Sequence, residues 1–149
     1  MSAPSRFIHE PDPAHPGWMT WDLSGESRFN SVLGKMIVQR DGDIARARIF
    51  PEFGHTNLDS NVHGGVMLTL SDIALFVGAQ LLGRVGSNGG VTLDLSMQFI
   101  GAGKVGEPMD AEVELLRETG RMVFLRGIIL QEHGKVAAFS GTLRKATVR

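Results

Sequence analysis

The pattern of apolar and polar positions changes period twice along the chain. From about Val62 to Leu82, apolar residues recur at steps of three and four, with Val66, Leu70, Ile73, Val77 and Leu81 in one line. That is the spacing of a helix. Met67, Leu68, Ala74, Leu75 and Phe76 fill most of the remaining circumference, and a helix apolar nearly all round is expected to be buried on most sides. Asp72 is the one carboxylate within it, and Gly83 closes it. From Thr92 the period drops to two. Thr92, Asp94, Ser96 and Gln98 alternate with Leu93, Leu95, Met97 and Phe99, which assigns the two sets to opposite faces of a strand. Met109 to Leu116, Met122 to Gln131 and Lys135 to Leu143 are further strand-like runs, joined by tight turns at Glu118-Thr119-Gly120 and His133-Gly134. That order predicts an antiparallel meander.

Ahead of the helix, Phe29, Val32 and Leu33 share one side of a short amphipathic helix that Gly34 ends. Met36 to Gln39 and Ile44 to Phe50 flank Asp41-Gly42, the signature of a hairpin. Pro51 to Asn61 is a polar loop, and Gly86 to Gly90 a flexible turn. Pro11, Pro13 and Pro16 exclude a regular helix near the start. Trp18 and Trp21 close that arm and are expected to lie against the body of the protein. The expected organisation is an N-terminal arm, residues 1–25, and one domain, residues 26–149, of α+β class. Its sheet has five to six antiparallel strands and one long central helix. A helix apolar on all sides demands that the sheet curl around it or that a second copy cover its far side.

Composition narrows the function. A chain of 149 residues with 42% hydrophobic residues is long and apolar enough for one ordered domain. A net charge of −1 gives no electrostatic footprint for nucleic acid or an anionic membrane. The absence of cysteine removes disulfides, thiolate metal sites and cysteine nucleophiles together. Val66 to Leu82 is short for a membrane span and contains Ser71, Asp72 and Gln80. The first residues lack a signal-peptide pattern. The expectation is a soluble, cytoplasmic protein.

Two features carry candidate chemistry. Asp72 lies between Leu70 and Ile73 in the least polar part of the chain, where an unpaired charge is costly. It either marks a helix face that reaches solvent, is a hydrogen-bonded core carboxylate, or is a desolvated one suited to act as base or nucleophile. His63-Gly64-Gly65 opens the helix. Its glycines either serve a loop with unusual dihedrals or let backbone N–H groups approach a ligand at the positive end of the helix dipole. The second arrangement makes an oxyanion hole without side chains. Gly64 and Asp72 are eight residues apart, which is about 12 Å along one straight helix. One helix cannot bring both to a single carbonyl carbon. If both serve one reaction they come from different chains, and a symmetric dimer with composite sites is required. His55, Asp59 and His63 lack metal-ligand spacing, Gly86 to Gly90 lacks a dinucleotide fingerprint, and no nucleophile elbow occurs.

The order short helix, hairpin, Asn57, His63-Gly64-Gly65, Asp72 and meander resembles the hotdog-fold acyl-CoA thioesterases of the PaaI-like, 4-hydroxybenzoyl-CoA thioesterase-related family. The resemblance runs from Phe29 to Leu143. It implies a sheet wrapped around the helix, a homodimer joined edge to edge, and in many relatives a homotetramer. It implies hydrolysis of an acyl-CoA thioester with no metal and no cofactor, coenzyme A being part of the substrate. In that scheme the Gly64 N–H polarises the thioester carbonyl and His63 fixes its loop. Asn57 holds substrate or water, and Asp72 of the partner subunit is general base or nucleophile. Thr92 matches a position that orients the water or the carboxylate. Gly65, Met67, Leu68, Leu75 and Phe76 are the expected substrate-binding residues along the helix. Ile100-Gly101-Ala102-Gly103-Lys104 stands where relatives often carry Arg-Pro, which makes Lys104 the candidate phosphate contact. The alternative is a non-catalytic hotdog protein that binds acyl-CoA as sensor or carrier. A hydratase on the same fold ranks last.

Overall fold

The computed structural model describes residues 7–23, 27–84 and 90–147. Of the turn expected at Gly86 to Gly90, residues 86–89 lie outside them. Strands β1 (Phe7–Ile8), β2 (Met19–Thr20) and β3 (Asp22–Leu23) come from the N-terminal segment. A hairpin follows, β4 (Met36–Asp41) and β5 (Ile44–Ile49), with Gly42 at φ +60° in its turn. The helix α1 (Gly64–Leu82) then leads into β6 (Gly90–Phe99), β7 (Met109–Glu118), β8 (Met122–Gln131) and β9 (Gly134–Lys145). One antiparallel sheet holds seven strands in the order β2-β4-β5-β7-β8-β9-β6, and β1 pairs with β3 separately. The sheet curves around α1 as expected. It has one strand more than the sequence pattern predicts because Met19–Thr20 adds to β4, and a two-residue strand leaves no visible period.

Burial alternates along β5, with Ala45, Ala47 and Ile49 inward and Ile44, Arg46 and Arg48 half-exposed. Arg48 makes a double hydrogen bond to Asp110 across the sheet, at 2.6 and 2.8 Å, and Trp18 covers its guanidinium at 4.5 Å. Trp21 packs against the core, so both tryptophans lie on the body of the protein. Asp12 fixes the same arm through His15 at 2.6 Å and Lys35 at 3.1 Å.

Two local expectations need correction. Phe29–Leu33 is a 3-10 helix, and its three-residue period aligns Phe29 with Val32 rather than with Leu33. Leu33 is buried, whereas Phe29 is 74% and Val32 47% exposed. Strand β6 does not alternate without interruption. A bulge between Thr92 and Asp94 leaves Leu93 out of register, and one extra residue exchanges the faces of everything before it. Thr92 therefore pairs with the buried Leu143 and shares the helix side of the sheet with Leu95 and Met97, instead of the outer side with Ser96 and Gln98.

Helix α1 is long and apolar enough to cross a membrane by length and composition, but half of that stretch is buried against the sheet. It is the core helix. Gly78 allows the closest approach, because a Cβ there would stand 2.7 Å from Leu125 Cδ2 and 2.8 Å from Val113 Cγ1. Ser71, fully buried, is satisfied by donating its hydroxyl to the Met67 carbonyl at 2.9 Å. The sheet does not enclose the whole helix. Leu68, Thr69, Asp72, Phe76 and Gln80, spaced by one helical turn, form a stripe that is half-buried or exposed.

Gly78→Ala is expected to destabilise the fold by about 1–3 kcal/mol by overpacking this contact; an unchanged urea midpoint would show that the helix shifts away at no cost. A second expectation concerns acid. The Glu118 carboxylate accepts from Lys145 Nζ at 2.7 Å and from the Arg84 N–H at 2.9 Å, tying the end of α1 to β9. The Lys145 bond first, then the Arg84 N–H, hold its pKa below the ordinary 4.5 against the opposing effect of burial. The stability it contributes is therefore complete above the ordinary value and fades as pH falls through the lower folded value. Glu118→Gln should flatten the acid limb of the stability–pH curve below about pH 5, measured by denaturant titration. An acid limb identical to wild type would remove Glu118 as its source.

Candidate active site

The N-terminal end of α1 is built by short-range hydrogen bonds. His63 is its N-cap, in extended conformation, and its Nδ1 accepts from the Gly65 N–H at 2.8 Å. This capping bond leaves the proton of a neutral imidazole on Nε2. The His63 N–H itself donates to the His55 carbonyl at 2.8 Å. Phe99 packs closely over Gly64: a Cβ there would lie 3.1 Å from Phe99 Cε1, so the ring would have to give way by a few tenths of an ångström. The Gly64 N–H, first of the helix, has no hydrogen-bond partner among the described residues, and it sits at the positive pole of the dipole. It is a free donor at a helix start.

Asn57 shapes the loop that leads to this point. Its Oδ1 accepts from the N–H groups of Asp59 at 2.9 Å and Asn61 at 3.1 Å, and Ser60 completes the turn at φ +62°. Asn57, Gly64, Met67, Phe99, Gly101 and Gly103 all line a groove of about 280 Å³. A second groove, of about 730 Å³, opens on the other side of His63 past Phe53 and Leu58. His55, by contrast, is buried with both nitrogens engaged. Its Nδ1 accepts from the Glu52 N–H at 2.9 Å, so Nε2 donates to the Val32 carbonyl at 2.7 Å. Among the described residues no group of three or more His, Asp or Glu is arranged to hold a metal ion.

Asp72 lies eight residues along the same unbroken helix, about 12 Å from Gly64 by the helical rise. It is half-buried on the stripe the sheet leaves uncovered, between Leu68 and Phe76. Thr92 Oγ1 donates to its Oδ1 at 2.7 Å, a contact that exists because the β6 bulge turns Thr92 toward the helix. Asp72 and Thr92 thus form one cluster of the expected site residues, and His63, Gly64, Asn57 and Met67 the other. The structure does not bring the two clusters together within one chain. Leu75 is fully buried against the sheet, with its Cδ1 filling the place that a Cβ on Gly141 would need. Lys104 is exposed, and its backbone is bonded to Gln131 rather than its ammonium to any carboxylate among the described residues.

Phe99 is the site residue that pattern reading treats only as a strand position. Its signal was an aromatic on the last position of an alternating strand, directly before a glycine-rich loop. Nothing in the sequence signals the bulge at Leu93.

Comparison with known proteins agrees with this architecture. Residues 59–138, just over half of the chain, match the thioesterase superfamily. Zebrafish thioesterase superfamily member 2 superposes with a TM-score of 0.72 at 21% identity, over 83% of this chain and 90% of that one. A variant of the phenylacetic acid degradation protein PaaI from Thermus thermophilus gives 0.67 at 23% identity, over 79% and 98%. A hypothetical thioesterase from Streptococcus pneumoniae, solved with coenzyme A, gives 0.64 at 19% identity, over 75% and 89%. Comparison with curated proteins gives no match. A core helix wrapped by a curved antiparallel sheet, with the family match running through the helix and most of the meander, identifies the chain as a member of the thioesterase superfamily with the hotdog fold.

Proposed function

We propose that the protein hydrolyses an acyl-CoA thioester to a free acid and coenzyme A, in the cytoplasm, as a homodimer or a homotetramer built from two such dimers. The observation that carries the reading is the Thr92–Asp72 hydrogen bond on the uncovered side of α1. It holds one carboxylate oxygen and leaves the other for water or substrate. A solved relative that carries coenzyme A supports the choice of thioester.

In this reading the Gly64 N–H donates to the thioester oxygen, and the carboxylate comes from Asp72 of the partner subunit. With Asp72 as base, it takes a proton from water as the water oxygen adds to the carbonyl carbon. The Gly64 N–H stabilises the oxyanion. Collapse then breaks the C–S bond, and the proton passes to the departing thiolate. With Asp72 as nucleophile, its oxygen adds to the carbonyl carbon and expels the thiolate; water then cleaves the anhydride. Both routes use water and one carboxylate, with no metal or cofactor. Asn57 contributes to holding the substrate at the groove. Leu68 and Phe76 on the open stripe, with Met67 and Gly65 nearer Gly64, receive the acyl group, and Lys104 receives a phosphate of coenzyme A. Leu75 takes part only as core support behind that stripe. The long free edge of β6 supplies the junction between subunits.

Release of thiol from a panel of acyl-CoAs tests the reading. Asp72→Asn is expected to cut kcat by about 10²–10⁴ without unfolding the protein; undiminished turnover would remove Asp72 from the chemistry. Tight coenzyme A binding with no thiol release from any ester would support the sensor or carrier instead. Mixing Gly64→Val with Asp72→Asn subunits is expected to restore about a quarter of wild-type activity per site, since one composite site in a mixed dimer is intact. Well-folded mixed dimers that stay inactive would sink the shared site.

A further inference from the structure

The small-residue wall of the groove beside Gly64 is held at Gly101 by its N–H donating to the Val136 carbonyl at 3.0 Å, and beyond that by two side chains that the proposed chemistry does not use. Gln131 ends β8 and is 5% exposed. Its Oε1 accepts from the Lys104 N–H at 2.7 Å, and its Nε2 donates to the carbonyls of Lys104 at 2.8 Å and Glu107 at 3.2 Å. One buried amide thus satisfies three backbone groups of a loop that forms no ladder of its own. Next to Lys104, the Gly103 carbonyl accepts from the Val62 N–H at 2.8 Å. A Cβ on Gly103 would stand 2.9 Å from Val62 Cβ. The loop is therefore fastened on one side to Gln131 and on the other to the segment that enters α1.

His133, in the β8–β9 turn, grips the same loop twice. Its Nδ1 meets Glu107 Oε1 at 2.8 Å and its Nε2 meets the Ala102 carbonyl at 3.0 Å. An ionised carboxylate and a carbonyl only accept hydrogen bonds, whereas a neutral imidazole has one donor nitrogen. Both contacts exist together only in the imidazolium form. The other charged groups on the two segments are Lys104 on the loop and Glu132 and Lys135 on the turn; Glu107 alone is in ion-pair contact with His133.

We infer that Gln131 and His133 are positioning residues that hold the Gly101–Gly103 wall of the groove beside Gly64. The inference rests on the thioesterase reading for what the groove binds. Loosening the wall weakens substrate binding and leaves the chemical step nearly intact, because Gly64 is fixed independently through the His63 contacts to Gly65 and His55.

The test measures kcat and KM for acyl-CoA hydrolysis, and coenzyme A affinity by calorimetry, for the full-length wild type, Gln131→Met and His133→Gln between about pH 5.5 and about pH 8.5. Gln131→Met is expected to raise KM about tenfold with kcat within about twofold of wild type. His133→Gln is expected to raise KM in the same sense, with kcat within about twofold of wild type. Equal KM for wild type and His133→Gln at every pH, or a Gln131→Met loss confined to kcat, would overturn the inference. Should Gln131→Met fail to fold, the His133→Gln comparison decides alone. Coenzyme A affinity that depends on His133 in a protein that hydrolyses no thioester would sink the proposed function and leave this inference standing. A wild type that neither binds nor hydrolyses would end both.

Discussion

A 19-residue helix apolar around nearly its whole circumference must leave water on every side, and the sheet curved around it reaches only part of the way. The covered side is packed closely enough that glycine is needed at 78. The remaining stripe of Leu68, Asp72 and Phe76 is left half-buried or exposed. That incomplete coverage governs the rest. It gives a carboxylate access to a ligand while keeping it beside apolar surface, and it sets the face on which a second copy completes the molecule in the proposed function.

What pattern reading recovers and what it misses follow from the length over which each signal repeats. The core helix and the meander are legible because a period of 3.6 or 2 persists over ten or more residues. The 3-10 turn at Phe29–Leu33 and the two-residue strand Met19–Thr20 span too few residues to show a period. The β6 bulge is harder still, because it preserves the alternation of the letters while inverting the face on which Thr92 falls. Asp72 is legible as an oddity of composition, and its eight-residue offset from Gly64 is enough to set a separation of about 12 Å. Its partner Thr92 came from resemblance, since alternation by itself assigns that hydroxyl to the outer face. Gln131 is not legible as a site residue because its role depends on contacts far apart in sequence.

The two ends of the site differ in how they are held. The Gly64 end depends on backbone N–H groups and a capping imidazole, so its geometry is fixed by short-range hydrogen bonds. The Asp72 end depends on a side-chain hydroxyl delivered by an irregular edge strand. The first is built into the chain's own turn chemistry. The second is set by sheet register, and a one-residue slip of β6 against β9 would remove it.

The short strand Met19–Thr20 bears on more than the strand count. A sheet with two long free edges can recruit a neighbour at each and grow without limit. Here one edge ends in a two-residue strand, flanked by an arm pinned through Asp12 and through Trp18 over Arg48. The other edge is the ten-residue β6. Such a sheet has a single place to add a neighbour, and when the neighbour uses its own β6 the pairing closes on itself. The N-terminal arm thereby caps part of one edge at Ile37 and Val38, and the ten-residue β6 is the long edge at the other end of the sheet.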